Sequence, residues 1–462
     1  MALVVNGRGI WGVRSAPSDA WTRPADWLAI PAIGTQEFIG LLAITDDEMN
    51  HIALLCAGAY TVDWGDGVVE NVATGVKAQH SYTYSSISDN TISSRGYKQV
   101  LVRVTPQAGQ NLVSINLHQV NFEINKVHLV GWLDMSINGS SITSLTLGGV
   151  SIYHGMCERV TIGTIGSISN LSNLFNNFHS LQSVNLFDVS NTTNFSNMFA
   201  GCRYLQSVPL LNTANGTNFS GMFSSCISIS TIPLISTSQG TNFSSMFSSC
   251  ILLETIPLLD TANGTNFSSM FSSCFLLETI PLLNTSMGIN FSSMFNSCHS
   301  MRTVPLLNTA NGTDFLAIFE YCTSLITIPA FNTSKGIIFS NMFHQCFSLN
   351  SIPLLDMSKG TNFTFTFRMC YCLQSLPNLN VSKGLGFQGI VSTDSLAKAA
   401  FQGTRYSIDY QFTALSKNAI VDVFNGLGTA SGQTITITQN PGWSALSASD
   451  KLIATGKGWI IA

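Results

Sequence analysis

The chain has 462 residues, too long for one ordinary core, so it forms either two to four domains or one solenoid with caps. Only 10% of its residues are charged and the net charge is −4, which leaves no basic face for nucleic acid. Hydrophobic residues make up 45%, so the chain can fold, and its Ser, Thr, Asn and Gly content is that of a stable all-β protein.

Residues 1–45 are rich in tryptophan and proline. Trp11, Trp21 and Trp27 alternate with Pro17, Pro24 and Pro31, so no long helix fits. Two readings stay open. The segment is an arm that docks on a neighbouring subunit through its tryptophans, or it wraps its own domain. Met1 to Arg8 has no basic region ahead of an apolar core, and no apolar run reaches the ~18 residues of a membrane span. Neither export by a signal of that kind nor a helical anchor is expected.

Residues 46–108 read as a small β-sandwich. Ala57 to Asp63 is a strand, Trp64-Gly-Asp-Gly67 a turn, and Gly96 to Thr105 alternates as a final strand. Asp63 and Asp66 are expected to take backbone donors of the turn rather than calcium. His80 reads as a packed histidine, since no second ligand sits at a matching spacing. The order Val-Asp-Trp-Gly-Asp-Gly, His-Ser-Tyr, Gly-Tyr-x-x-Val-x-Val-x-Val resembles the PKD-type immunoglobulin-like sandwich. That resemblance implies a spacer or adhesion module.

Residues 109–192 read as irregular capping repeats. Short strands are expected at Val113–Leu117, Val127–Leu129, Ile142–Leu147 and Val160–Ile162, unevenly spaced.

Residues 193–384 form an unbroken lattice of 24-residue units. Cysteine recurs from Cys202 to Cys370 and proline from Pro209 to Pro377. Two phenylalanine columns run from Phe195 to Phe363 and from Phe199 to Phe367, and a glycine column from Gly216 to Gly384. A fixed period of this length means a solenoid, in which each unit buries its apolar edge against its neighbours. In one unit, Leu253 to Leu258 is expected as a strand with Leu253, Ile256 and Leu258 inward. Asn266 to Cys274, apolar at spacings of three and four, is expected as a short helical segment capped by Asn266 or Thr265. The Met-Phe-x-x-Cys-x-x-Leu-x-x-Ile-Pro-x-Leu pattern resembles the bacterial surface-protein class of leucine-rich repeats. The proline column departs from a continuous ladder, so the ladder is only two or three residues long at that edge or the prolines lie just past it. The cysteine column is expected to be buried and reduced, since stacked parallel positions suit disulfide geometry poorly.

Residues 385–462 are expected to form a small α/β cap. A helix ends at Gly426, a strand covers Thr434 to Thr438, a second helix starts at Ser447 with a capping box, and Lys457 to Ile461 is a last strand. The fold class is therefore mainly β: a sandwich, a repeat solenoid and an α/β cap. This order of segments resembles tailed-phage structural proteins. The resemblance implies a virion protein assembled in the host cytoplasm, held by other virion proteins through its arm and present as a homo-oligomer.

No catalytic motif stands out, and no cofactor or metal is called for. Glu254 and Glu278 lie one period apart, roughly 5 Å, a glycosidase-like spacing that simple duplication explains. The column four residues after each cysteine reads Gln206, Ser230, Glu254, Glu278, Arg302, Ile326, Asn350 and Gln374. Beside it lie Phe275, His299, Phe347 and Tyr371. Mixed charge with aromatics points to a face for a host-surface carbohydrate or protein, as in a tail fibre or adhesin. The alternative is a decorating or connector protein with a passive solenoid.

Overall fold

The computed structural model describes residues 21–46, 50–121, 126–127, 131–149, 154–185, 187–393 and 395–462, with short paired segments at 4–5 and 8–9. The chain is mainly β and contains a β-solenoid of about 13 turns. It clusters into two compact units. The first comprises residues 1–168, 173–188 and 201–211, the second 169–172, 189–200 and 212–462.

Two sheets organise the first unit. Its strands are β1 (Gln36–Ile44), β2 (His51–Ala57), β3 (Tyr60–Asp63), β4 (Val69–Val72), β5 (Lys77–Ser81), β6 (Lys98–Pro106), β7 (Ser114–Asn116), β8 (Trp132–Gly139), β9 (Ser144–Thr146), β10 (Arg159–Ile165) and β11 (Ser183–Val184). One sheet runs β11-β10-β8-β1-β6-β3-β4 and the other β9-β7-β2-β5. β1 pairs antiparallel with both β6 and β8. From β8 onward the pairing turns parallel, β8 to β10 to β11 in one sheet and β7 to β9 in the other. The chain thus begins to wind as a solenoid while it is still adding strands to these two sheets.

Two expected boundaries move as a result. The larger sheet takes in β1, inside the supposed arm of residues 1–45, as one of its central, almost wholly buried strands. The uneven repeats of 109–192 are coils that extend both sheets. Their expected strands fall at β7, β9 and β10, while Val127–Leu129 lies only partly within the described residues.

The segment before β1 is clamped to its own domain. Trp27 is 4% exposed, and its indole donates to the Tyr97 hydroxyl at 2.9 Å. Asp134, fully buried, accepts from Arg23 at 2.9 Å and from Arg159 at 2.6 and 2.8 Å. At the turn between β3 and β4, Asp63 and Asp66 accept the backbone N–H groups of Gly65 and Val68, and Asp66 also meets His80 at 2.7 Å.

The second unit is built from coils, and Asn266 to Cys274 shows how one is closed. Phe267, Ser269, Phe271 and Ser273 donate their N–H groups to Asn290, Ser292, Met294 and Asn296 of the next coil, at 2.7–2.9 Å. Met270, Ser272 and Cys274 donate three residues back within the coil. Ser268 donates to the Asn266 side chain at 3.1 Å, and Asn266 to Thr241 of the preceding coil. The expected short helix is therefore a ladder of turns. Ser269 and Ser273 sit at φ of 54° and 60°, which turns the chain every four residues and keeps alternate donors pointing along the stack. Parallel bridges repeat at this position from Asn170 to Gly386.

Leu253 to Leu258 is not a strand in this structure. Leu253 and Ile256 point inward as expected, but Leu258 is 62% exposed and Leu259 takes the inward place. The coil bends at Pro257. One bond between coils precedes it, Glu254 N–H to the Ser230 carbonyl, so the proline column does lie past the ladder.

The core of the coils is a set of single-residue columns. Phe195 to Phe387 and Phe199 to Phe367 stack coil on coil with ring centroids 5.5–5.8 Å apart and nearly parallel planes, an offset arrangement. A Cβ on Gly264 would lie 2.5 Å from the Phe267 ring and 3.0 Å from Phe243, so the glycine column makes room for the rings. Buried Thr261 donates to the Asn284 carbonyl of the next coil at 2.8 Å. Each column cysteine is free and buried, and its thiol donates to a phenylalanine carbonyl of the coil before, as Cys274 does to Phe247 at 3.1 Å.

The tail comprises β12 (Ile408–Asp409), α1 (Lys417–Gly426), β13 (Gln433–Thr436), α2 (Ala448–Thr455) and β14 (Trp459–Ile461), with a parallel sheet in the order β12-β13-β14. The capping box at α2 forms as expected between Ser447 and Asp450. Among the described residues no helix is long and apolar enough to cross a membrane.

Two measurements check this packing. Burial pushes the Cys250, Cys322 and Cys370 thiols up to about 12, so thiol reagents should label the column slowly in native protein and fully in denaturant. Phe271→Ala should cost about 3–5 kcal/mol in denaturant unfolding, because fixed coils above and below hinder collapse of the cavity.

Candidate functional site

The solenoid coils place the expected ligand-facing column outward. Glu254, Glu278, Arg302, Asn350 and Gln374 are all exposed. They follow the inward leucine or methionine of each coil, and the proline three residues later turns the chain away. Gln206 is half-buried and belongs to the first unit. Ser230 and Ile326 of the same column are half-buried and carry no charge.

The neighbouring aromatics pair up along the stack. Phe275 and His299 have centroids 4.9 Å apart, and Phe347 and Tyr371 lie 5.4 Å apart, nearly parallel. Phe275, His299 and Phe347 are half-buried, while Tyr371 is 51% exposed. Between the charged column and a column of serines runs a shallow groove of about 440 Å³ lined by Glu278, Ser300, Arg302, Ser324, Ile326 and Ser348. Among the described residues neither Glu278 nor Arg302 has an ion-pair partner, so both keep their hydrogen-bonding capacity for a ligand. The groove serines were not singled out in the sequence, where they look like lattice filler.

A second polar arrangement was also missed. The position after the second phenylalanine reads Ser248, Ser272, Asn296, Glu320, His344 and Arg368. Asn296 donates to Glu320 at 2.9 Å, and Glu320 meets His344 Nδ1 at 2.9 Å, one coil further on. Among the described residues His344 Nε2 is buried with no hydrogen-bond partner. The signal was available as a break in a serine column. The exposed leucines form another column, since Leu234, Leu258, Leu282, Leu306 and Leu354 are 60–68% exposed.

The docking candidates fare differently. Trp27 is enclosed in its own core with Leu41 and Leu133, so it cannot face a particle as expected. Trp21 is half-buried and bound to Glu158 at 2.8 Å. Trp11 lies outside the described residues.

Fold and face together define a repeat solenoid with chemically varied surface columns. Its repeats match a known family model. Three overlapping stretches, 169–278, 232–325 and 289–395, match the family described as "Mycoplasma protein of unknown function, DUF285", and together they cover just under half the chain. No curated protein matches. Similar solved structures include a plant peptide hormone receptor, RGFR1, in complex with RGF2, at 10% identity over 66% of this chain and 57% of that one, with a TM-score of 0.23. Another is a TLR13–ssRNA13 complex, at 14% identity over 71% of this chain and 53% of that one, with a TM-score of 0.20. The chain spans little more than half the length of either.

Burial lowers the pKa of His299 below its ordinary value of 6.5, so it is neutral at neutral pH. The unfolded chain therefore binds the proton more readily. The stability from this group should be complete above about pH 6.5 and decline as pH falls toward the lower folded value. Proton NMR should place its midpoint below 6.5, and His299→Phe should remove its share of the acid sensitivity.

Proposed function

We propose that the protein is a non-enzymatic recognition protein that holds a surface carbohydrate on the outward column of its coils. The observation that carries this reading is the groove between the serine and charged columns, where unpaired Glu278 and Arg302 face solvent. A polyhydroxylated ligand needs both acceptors and donors, and carboxylate, guanidinium and three serine hydroxyls supply them in rows one coil apart. The Phe275–His299 and Phe347–Tyr371 pairs on the adjacent column add apolar area at fixed geometry. Polar groups spaced one coil apart suit a repeating polymer.

The resemblance of the segment order to tailed-phage structural proteins supplies the setting of this proposal. There the chain is a virion protein, a tail fibre or adhesin in homo-oligomeric form that touches the host surface. Trp27 has no part in attaching it to the particle, since that ring is committed to the chain's own core.

Arg302→Ala combined with Tyr371→Ala tests the reading. Neither side chain is buried, so the fold should persist. Binding of the purified chain to a glycan array of cell-surface polysaccharides should fall at least tenfold, and in a virion the same pair should slow adsorption without impairing assembly. Unchanged binding and adsorption would leave the solenoid as a passive connector.

A further inference from the structure

The first unit holds a cavity of about 590 Å³ that the outward column of the second unit does not account for. Its size is that of a small-molecule site, which runs to roughly 300–1,000 Å³. Trp21 contributes one part of the lining. Its indole N–H is bound by the Glu158 carboxylate at 2.8 Å, and the Arg159 guanidinium lies over its ring at 5.5 Å. A ring tethered at both places loses little further freedom when a ligand packs against it.

Glu158 is only 7% exposed, and a buried carboxylate requires partners. It has two, the Trp21 indole and the Arg95 guanidinium. Arg95 in turn lies over the Trp27 ring at 5.7 Å. Cation and anion neutralise each other, so the cavity presents no net charge.

Two coil edges one period apart complete the lining, Gln182-Ser183-Val184 and Gln206-Ser207-Val208. The two glutamines are half-buried, yet among the described residues their amides have no hydrogen-bond partner, and neither do the two serine hydroxyls. Each amide offers a carbonyl acceptor and an NH₂ donor, and each hydroxyl offers both. Such groups, held at a cavity edge without partners, leave hydrogen bonds to be made by whatever enters.

We propose that this cavity binds a single neutral sugar ring. Ring hydroxyls are donors and acceptors at once, and the paired amides and hydroxyls match them. The apolar C–H face of such a ring packs against a rigid indole. An anion would find only a guanidinium already neutralised, and a cation only a carboxylate already bound. The site takes up Gln206, the member of the expected column that lies in this unit, and shares no residue with the groove at Arg302.

Saturation-transfer NMR on the full chain tests the proposal. The probes are glucose, galactose, mannose and N-acetylglucosamine, with glucuronic and galacturonic acid beside them. At least one neutral sugar should receive saturation and the acids less. Gln182→Ala with Gln206→Ala should weaken that sugar at least tenfold with no change in thermal midpoint, since both side chains lack protein partners. Arg302→Ala with Tyr371→Ala should leave it unaffected. The proposal is overturned if no neutral sugar binds, if a uronic acid is preferred, or if the glutamine pair has no effect. Loss of the signal in the Arg302/Tyr371 variant would move the sugar to the coil groove and likewise overturn this site, while leaving the polysaccharide reading intact.

Discussion

Every coil of the solenoid must dispose of its backbone N–H groups, and the way it does so governs the rest of the structure. A buried donor left without an acceptor costs on the order of 1–3 kcal/mol, so a coil with several orphans would not persist. The turn ladder of Asn266 to Cys274 leaves none among its nine residues. Alternate donors from Phe267 onward go to the next coil, Asn266 reaches the preceding coil, and the others close turns within the coil. This division requires a left-handed residue at every fourth position, supplied in this unit by Ser269 and Ser273. Elsewhere the same conformation is imposed on Tyr321, Phe365 and Met369, large residues that seldom adopt it, which shows that the ladder outweighs local preference.

Once the ladder fixes the period, side chains meet their own equivalents one coil away, and each column is chosen for how well it stacks on itself. Phenylalanine stacks in offset register. Glycine stands where its absent Cβ admits the ring edges. Threonine and cysteine each satisfy a carbonyl of an adjacent coil while staying wholly buried. Cysteine suits its place because its thiol is apolar enough for the core and still donates weakly. Function is then confined to columns that stack is not asked to use, such as the exposed one from Glu254 to Gln374.

The columns themselves were legible in the sequence, because a lattice of identical spacing reports burial directly. So was the tail, where Ser447 and Asp450 carry a cap that depends only on local chemistry. The turn ladder was not legible. Apolar spacings of three and four fit a helix equally well, and serine in a left-handed turn gives no signal of the kind glycine gives. Leu258 was misplaced for a related reason. The bend at Pro257 lets two successive leucines point opposite ways, and composition does not say which of Leu258 and Leu259 turns in. β1 escaped because its partners, β6 and β8, lie far along the chain. Of the face, the charged and aromatic columns were visible as variation within the lattice, whereas the groove serines and the amides around Trp21 look like ordinary filler until three-dimensional neighbours are known.

The ladder also has a direction, since the N–H groups of Phe267, Ser269, Phe271 and Ser273 point to the following coil and the carbonyls that accept such bonds point to the preceding one. A coil removed whole leaves every donor facing an equivalent acceptor, whereas one removed in part strands several. Asn242 to Cys250 and Asn266 to Cys274 are identical in sequence, so the segments of two successive coils are interchangeable there. The number of coils is therefore a heritable quantity that selection can raise or lower in steps of 24 residues without breaking the backbone ladder.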